Sequence, residues 1–146
     1  MTNKAQYQIE QVDWQQAEKA LTAIRMTVFV DEQNVPIELE IDGLDPRCIH
    51  VMACDLENNT IGAARMLEDG HIGRMAVLRE YRNNGIGSAL LNTLIEIART
   101  TNLQCVYLYA QISAVKFYKN HQFTQYGKEF MDAGIPHIAM QRLLDS

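Results

Sequence analysis

The chain has 146 residues, of which 47% are hydrophobic and 21% charged, and its formal net charge at pH 7 is -5. These values are ordinary for one globular domain, which at this size buries enough apolar surface to fold without disulfides or metals. The negative charge gives no electrostatic support for binding nucleic acid. The first residues, MTNKAQYQIE, lack the apolar core of a signal peptide, and no run of residues is long and apolar enough to span a bilayer. We therefore expect a single domain over residues 1–146, a cytoplasmic location, and neither nucleic acid nor membrane as a partner.

The three cysteines are Cys48, Cys54 and Cys105, an odd number without CxxC spacing. This pattern predicts free thiols in a reducing compartment, and we expect no metal. Cys48 follows Arg47 and precedes His50, so it is the cysteine with the cationic neighbours that reactivity requires.

The N-terminal part of the chain predicts a strand, a helix and an acidic segment. Tyr7–Val12 alternates apolar and polar residues as YQIEQV, which is typical of a short strand. Beyond Asp13, apolar residues at steps of three and four predict one buried helix face: Trp14, Ala17, Leu21, Ile24 and Val28. After Phe29 the sequence VDEQNVPIELEIDGLDPR is acidic, and its two prolines and one glycine argue against a long regular element.

The middle of the chain predicts three strands, CIHVMACDL, TIGAARML and HIGRMAV, separated by the turns ENN and EDG. Such turns mark hairpins, so we expect an antiparallel meander. A helix over Gly87–Thr100 and a strand, QCVYLYA, follow; strand, helix and strand form a crossover, which makes the flanking strands parallel. A short helix, AVKFYKNH, and a hairpin complete the chain; the first strand of the hairpin runs from Gln122–Tyr126 outward, and the second is Ile138–Leu143. The predicted fold class is mixed α/β, with helices on both faces of a largely antiparallel sheet.

The turn Asn83–Ser88, NNGIGS, leads directly into the predicted central helix. The first four N–H groups of a helix have no internal partner, and the helix dipole adds partial positive charge there. No acidic residue between Asn83 and Leu94 answers that charge, and Arg82 adds to it. Gly85 can adopt positive φ, and Gly87 has no Cβ to keep a ligand away. The pattern predicts an anion site for phosphate, although the glycines could also serve only a tight turn.

Two familiar phosphate motifs do not fit this turn. A dinucleotide fingerprint needs a third glycine where Leu90 stands, and a P-loop needs a Gly-Lys-Ser/Thr sequence that the chain lacks. A nucleotide-binding fold is therefore disfavoured.

The sequence RNNGIGSALL resembles the Arg/Gln-x-x-Gly-x-Gly/Ala signature of the GNAT-type N-acetyltransferases. HIGRMAV resembles the strand before that signature, and AVKFYKNHQF resembles the family's FY-x-x-x-GF segment, with Gln122 in place of the usual Gly. GIPHIAM and VFVDEQNVP are similar to a subgroup of small bacterial acetyltransferases. The resemblance covers nearly the whole chain and implies a GNAT-like mixed sheet of about six to seven strands with one parallel, splayed pair.

This resemblance implies acetyl-CoA as cosubstrate. Backbone amides of Asn83–Ser88 would hold the pyrophosphate with help from Arg82, and the end of the preceding strand would offer backbone groups to the pantetheine arm. The implied cofactor residues are Met75, Ala76, Val77, Arg82, Asn83, Asn84, Gly85, Ile86, Gly87, Ser88 and Gln111. The Val77 N–H is the candidate for stabilising the oxyanion.

The resemblance also suggests the catalytic groups. Tyr118 matches the tyrosine of the FY segment and would protonate the leaving sulfur, although it could instead be a core aromatic. His137 is the expected base, since the subgroup has a histidine there and histidine titrates near neutral pH. A structural role for His137 stays open, and His50 and His71 are the alternative bases.

The acidic segment suggests a lid that attracts an ammonium substrate through Glu40 or Glu32. Strand alternation places Arg74 on the face of Ile72 and Ala76, where it binds a substrate carboxylate or pairs with a nearby acid. Together these groups suggest an amino-acid-like amine.

The expected activity is transfer of an acetyl group to the primary amine of a small molecule or peptide. The amine would attack directly in a ternary complex, with no covalent intermediate on Cys54 or Cys105. The alternative is a CoA-binding or regulatory module without turnover, and a homodimer is compatible with the family.

Overall fold

The computed structural model describes residues 6–144. The first part of the chain contains, in order, β1 (Gln8–Val12), α1 (Trp14–Arg25) with a π-helical continuation (Met26–Glu32), α2 (Ile37–Glu40), β2 (Ile49–Cys54), β3 (Thr60–Met66) and β4 (Ile72–Val77). The second part contains α3 (Ile86–Thr100), β5 (Cys105–Gln111), α4 (Val115–Asn120), β6 (Thr124–Asp132) and β7 (Ile135–Leu143). Of the helices in residues 6–144, none has the length and apolar composition needed to cross a membrane.

The strands form two antiparallel sheets that meet along one line. The first sheet has four strands in the order β1-β2-β3-β4, and the second has three in the order β5-β7-β6. A parallel bridge between His71 and Tyr107 joins them, and the Tyr107 N–H donates to the Gly70 carbonyl at 3.1 Å. Within the described residues this is the one isolated bridge, so β4 and β5 separate beyond it. The predicted mixed sheet with one splayed parallel pair is confirmed.

Helices cover both faces of the first sheet, as predicted. On one face α3 buries its apolar stripe in the main core, with Leu90, Leu91 and Leu94 fully buried. On the other face, the apolar stripe of α1 packs against Ala63 and Ala76. The small side chains of these two alanines let the helix approach the sheet closely.

A bulge in β4 overturns the expected position of Arg74. Arg65 pairs with Gly73 and Ala63 pairs with Ala76, so Arg74 and Met75 together lie opposite one residue of β3. Arg74 takes a φ of 49°, in the left-handed region that bulges use. The alternation of faces is therefore broken, and Arg74 does not share the buried face of its neighbours on β4. A period-two pattern cannot reveal an inserted residue.

The closing hairpin is present, and β6 continues outward from Tyr126 to Asp132, an end that the sequence left open. The nine residues of β6 are all exposed, so no apolar alternation marked the strand's far end. Before it, Gln122 takes a φ of 70°. This is the left-handed conformation for which glycine is preferred, so the turn is retained despite the substitution.

Candidate active site

A cleft of about 470 Å³ lies where the two sheets separate. It brings together several residues that the sequence predicted: Glu40, His71, Arg74, Met75, Gln111, Tyr118 and His137. They come from the acidic segment, β4, β5, α4 and β7, so the splay of the sheets is what assembles the site.

The hydroxyl of Tyr118 lies in this cleft, and its neighbour is the Met75 sulfur at 3.9 Å. Burial raises the pKa of Tyr118 to about 12. The hydroxyl therefore stays protonated at neutral pH and can donate a proton. Phe117 and Tyr118 both pack against the main core, with their rings 5.0 Å apart, but among the two only Tyr118 lines the cleft.

The ring of His137 is held in one tautomer by a backbone contact. Its Nδ1 lies 2.6 Å from the carbonyl oxygen of Ile135, and a carbonyl only accepts, so Nδ1 carries the proton. In the neutral ring, the lone pair is then on Nε2, which is the arrangement a base requires. The side chain is largely buried, and the ring stacks on Phe130 at 5.9 Å.

The other two candidate bases differ sharply in position. His50 is fully buried outside the cleft, with Nε2 at 2.8 Å from the Asp45 carbonyl and Nδ1 at 3.4 Å from Arg25. Both nitrogens are engaged, which excludes His50 as the base. His71 does line the cleft, and burial lowers its pKa, so its ring is largely uncharged at neutral pH.

Paired charges connect the acidic segment to the first sheet. Arg74 Nε lies 3.0 Å from Glu40 Oε1, and Arg74 Nη2 lies 3.2 Å from an Asp42 oxygen. Arg65 also bonds Asp42, and its Nη1 lies 2.9 Å from Asp45. The sequence left open whether Arg74 binds a substrate carboxylate or pairs with a nearby acid, and in the structure it pairs with acids. These contacts connect the acidic segment at the edge of the cleft to the buried Arg65 and the half-buried Arg74.

The carboxylates of this network titrate differently. Burial raises the pKa of Glu40, against the charge of Arg74. Within the described residues the 3.0 Å contact between Glu40 Oε1 and Arg74 Nε is an ion pair without hydrogen-bond geometry. Burial also acts to raise the pKa of Asp42, but hydrogen bonds from Arg65 and the Leu44 amide bring it down to about 2.

The start of α3 has the features expected of an anion site. Gly85 is the N-cap with a φ of 82°, and among the described residues no side chain caps the helix and no acid lies in its first turn. Asn83 is also left-handed, with a φ of 66°. The Asn84 amide group stabilises the loop by donating to the carbonyls of Tyr81 and Arg82 at 3.1 and 3.0 Å. The helix amides are thus left open to a ligand.

Arg82 and Glu32 form a bidentate ion pair, with distances of 2.6 and 2.8 Å. Hydrogen bonds from Arg82 lower the pKa of Glu32. The structure therefore puts Glu32 beside the loop before α3, not among the residues of the cleft. The expectation that it reaches toward the acceptor does not match its position.

The backbone of β4 faces the gap at alternate residues. The Leu78 N–H donates to the Ile61 carbonyl on β3, so the backbone groups of Val77 point the other way, into the gap. The Val77 carbonyl there accepts from Arg82 Nε at 2.9 Å. Ala76 pairs with Ala63, so its backbone groups point toward β3, which separates it from Val77, while Met75 lines the cleft.

Three further cleft residues escaped the sequence reasoning. Gln33 accepts a hydrogen bond from the Gln111 side chain at 2.9 Å and links the acidic segment to β5. Tyr109 and Asp132 also line the cleft. Tyr109 could have been found from strand alternation, since it lies two residues before Gln111, whereas nothing in the sequence singled out Gln33.

The cysteines lie outside the described cleft. Cys48 donates to the Leu44 carbonyl at 3.3 Å, and burial raises the pKa of its thiol. Its cationic sequence neighbours therefore do not make it a reactive thiolate.

Known acetyltransferases are similar to this chain in sequence and fold. Residues 26–144 match the family model described as an acetyltransferase (GNAT) domain. The uncharacterised N-acetyltransferase YjcF of Bacillus subtilis (strain 168) is 40% identical over 123 residues, which are 82% of this chain and 87% of YjcF. The crystal structure of Escherichia coli ElaA has a TM-score of 0.83 at 28% identity and covers 92% of this chain and 99% of ElaA. An acyl-CoA N-acyltransferase from Pseudomonas aeruginosa has a TM-score of 0.81 at 28% identity, with coverage of 93% and 97%.

Proposed function

Because this chain belongs to the GNAT acetyltransferase family, we propose that it transfers the acetyl group of acetyl-CoA to the primary amine of a small molecule or peptide. The observation that carries the proposal is the cleft at the splay of β4 and β5, which contains both a protonated tyrosine and a histidine of fixed tautomer. The family supports acyl transfer in general; the acetyl donor and the amine acceptor are our proposal.

The amides of Asn83, Asn84, Gly85, Ile86, Gly87 and Ser88 would bind the pyrophosphate. The uncapped start of α3 and its lack of acidic residues support this role. Arg82 has five N–H groups, and three of them are used by Val77 and Glu32. The remaining two are available for a phosphate oxygen.

The backbone of Met75 and Val77, with the side chain of Gln111, would align the pantetheine arm in the gap. The Val77 N–H points into the gap and would donate to the negative charge that develops on the thioester oxygen. Bound acetyl-CoA supplies the activated acetyl group and a thiolate leaving group.

Tyr118 would donate its proton to the departing sulfur, and His137 Nε2 would accept a proton from the amine. Arg74 is already paired, so it orients Glu40 rather than binding a substrate carboxylate. Glu40 would attract the incoming ammonium. Since no cysteine lies among the described cleft residues, direct attack by the amine is favoured over a covalent intermediate.

Titration calorimetry with acetyl-CoA, followed by a free-thiol assay over a panel of primary amines, tests the proposal. We expect binding and amine-dependent thiol release. Binding without release from any amine would instead support a non-catalytic CoA-binding module. Absence of acetyl-CoA binding would overturn the proposal.

A further inference from the structure

Aromatic rings in mutual contact cover part of the second sheet. His71 stacks on Tyr107 at 4.6 Å and meets Tyr109 edge-on at 4.7 Å. Tyr109 lies perpendicular to Phe130 at 5.5 Å, and Phe130 stacks on His137 at 5.9 Å. We call these five residues the aromatic wall. It runs from the junction of the two sheets to the proposed base.

The aromatic wall is exposed to solvent at Tyr109 and Phe130 and extends from the cleft to Phe130 beside it. Its members His71, Tyr109 and His137 line the cleft. The side of the sheet that carries the wall does not face the core, and Tyr109 and Phe130 are 46% and 37% exposed. Large exposed aromatic residues at the mouth of a cleft are typical of a surface that binds a ligand.

Apolar residues of the acidic segment, together with Phe29 just before it, form a second part of the same cleft. Phe29, Val35 and Leu39 line it, and Leu39 is 54% exposed. Its neighbours Ile37 and Ile41 are exposed as well, at 43% and 58%. A ligand in this region therefore meets apolar side chains in addition to the wall.

Among the described residues of the cleft, the charge that is not paired with an opposite charge is negative. Its two arginines, Arg65 and Arg74, are paired with carboxylates. Asp132 also lines the cleft, and within residues 6–144 its carboxylate has no partner. Asp132 lies two residues beyond Phe130 on β6, which puts it on the same face of the sheet as the wall.

From these observations, and resting on the proposed acetyltransfer, we propose that the acceptor is a primary amine carried on a short linker from a flat aromatic ring. The ring packs against Tyr109 and Phe130, and the amino group lies beside His137. Asp132 attracts the ammonium form to the cleft. The aromatic wall supplies a π surface for the ring, and the acidic segment supplies an apolar contact. The carboxylate of Asp132 complements the positive charge of the ammonium group.

Ligand-observed NMR titrations, with and without CoA, test this directly because they do not require turnover. The probes are 2-phenylethylamine, 2-cyclohexylethylamine, which lacks the π face, and 2-phenylethanol, which lacks the charge. We expect 2-phenylethylamine to bind about threefold to tenfold more tightly than either analogue. Equal affinity for the phenyl and cyclohexyl amines, or no detectable binding of 2-phenylethylamine, would overturn the inference.

Tyr109→Leu should abolish the preference for the phenyl ring. Tyr126→Leu is the matched control, since Tyr126 is 40% exposed on the same face of the sheet but outside the cleft. An equal loss of preference in both variants would contradict the proposed location. If Tyr109→Leu does not fold, the comparison of the three probes on the unmodified protein still tests the proposed acceptor class.

The two proposals fail separately. Acetylation of aliphatic amines without any preference for the aromatic ring would overturn only the acceptor class. Failure to bind acetyl-CoA would overturn the proposed acetyltransfer, whatever the amines do.

Discussion

At the scale of single residues, the proposed chemistry depends on the tautomer of His137 and on the protonated hydroxyl of Tyr118. The Ile135 carbonyl holds the proton on Nδ1 of His137, and burial keeps the hydroxyl of Tyr118 protonated. One residue is therefore prepared to accept a proton and the other to donate one.

Tyr118→Phe should lower kcat about a hundredfold while leaving the Kd for acetyl-CoA nearly unchanged. The hydroxyl's contact is a weak one with the Met75 sulfur, so the variant should fold normally. Steady-state kinetics and calorimetry give the two values. Tyr126→Phe removes a hydroxyl outside the cleft and should leave both values intact. Equal losses of kcat and affinity in Tyr118→Phe would contradict an acid role.

His137→Ala should flatten the acidic limb of the pH profile of kcat/KM, because that limb reports protonation of the base. His71→Ala should keep the limb. Burial lowers the pKa of His71, so if His71 were the base, the limb would lie below the usual histidine range. An unchanged limb in His137→Ala would move the base to His71 or to water.

At the scale of elements, the start of α3 combines a backbone requirement with the proposed binding of the pyrophosphate. Gly85 needs its positive φ, whereas Gly87 lies inside the helix. A Cβ at Gly87 would meet Phe117 at 3.5 Å, an ordinary contact. Substitutions at the two glycines therefore distinguish the effect of turn geometry from that of helix packing.

Gly85→Ala should cost about 1 kcal/mol in the free energy of unfolding, because an L-residue is strained at this φ. It should also weaken acetyl-CoA binding by distorting the amides. Gly87→Ala adds the same methyl group and should not lower stability. Chemical denaturation and calorimetry measure both effects. A Gly85→Ala variant that loses stability but binds acetyl-CoA normally would mean that the glycine serves only the turn.

The acidic segment is held by ion pairs whose contribution depends on pH. The folded-state pKa of Asp42 is about 2, below its ordinary value of 3.8, so its stabilisation is complete above pH 3.8 and is lost as the pH falls toward 2. In Asp42→Asn the free energy of unfolding should therefore fall by about 1 kcal/mol less over this pH range than in the unmodified protein. The difference is small because the side chain is partly exposed. Denaturant unfolding across this pH range measures it. Glu38→Gln alters an exposed acid of the same segment and should change little; an identical acid slope in Asp42→Asn would contradict the assignment.

At the scale of the whole molecule, one narrow junction sets the opening between the sheets. Gly70 lies in that junction with a φ of 96°, and a Cβ there would come within 2.6 Å of the Cys105 carbonyl oxygen. The cleft depends on this close approach of two backbones.

Gly70→Ala should destabilise the fold by about 2–4 kcal/mol, from backbone strain together with the displacement of β5. Gly127→Ala is the control, because Gly127 has a similar φ of 78°, and among residues 6–144 a methyl group there would meet no atom within 4 Å other than those of its chain neighbours. It should cost only about 1 kcal/mol. Denaturant unfolding compares the two, and equal losses would show that steric contact at the junction is unimportant.

Much of this architecture could be predicted because local patterns in the sequence indicate it. Apolar spacing indicated α1 and α3, turn residues indicated the meander, and the order of strand, helix and strand indicated the parallel pair. The bulge at Arg74 and the length of β6 could not be predicted, since neither leaves a periodic signal.

The sequence by itself determined the uncapped, glycine-rich start of α3, because helix ends and positive φ are local properties of the chain. Only the tertiary structure separated the histidines, burying His50 away from the cleft and bringing both His71 and His137 to it. It alone also joined Glu32 to Arg82 and Glu40 to Arg74. Charge pairing and burial depend on residues far apart in sequence, and no local spacing encodes which of them meet.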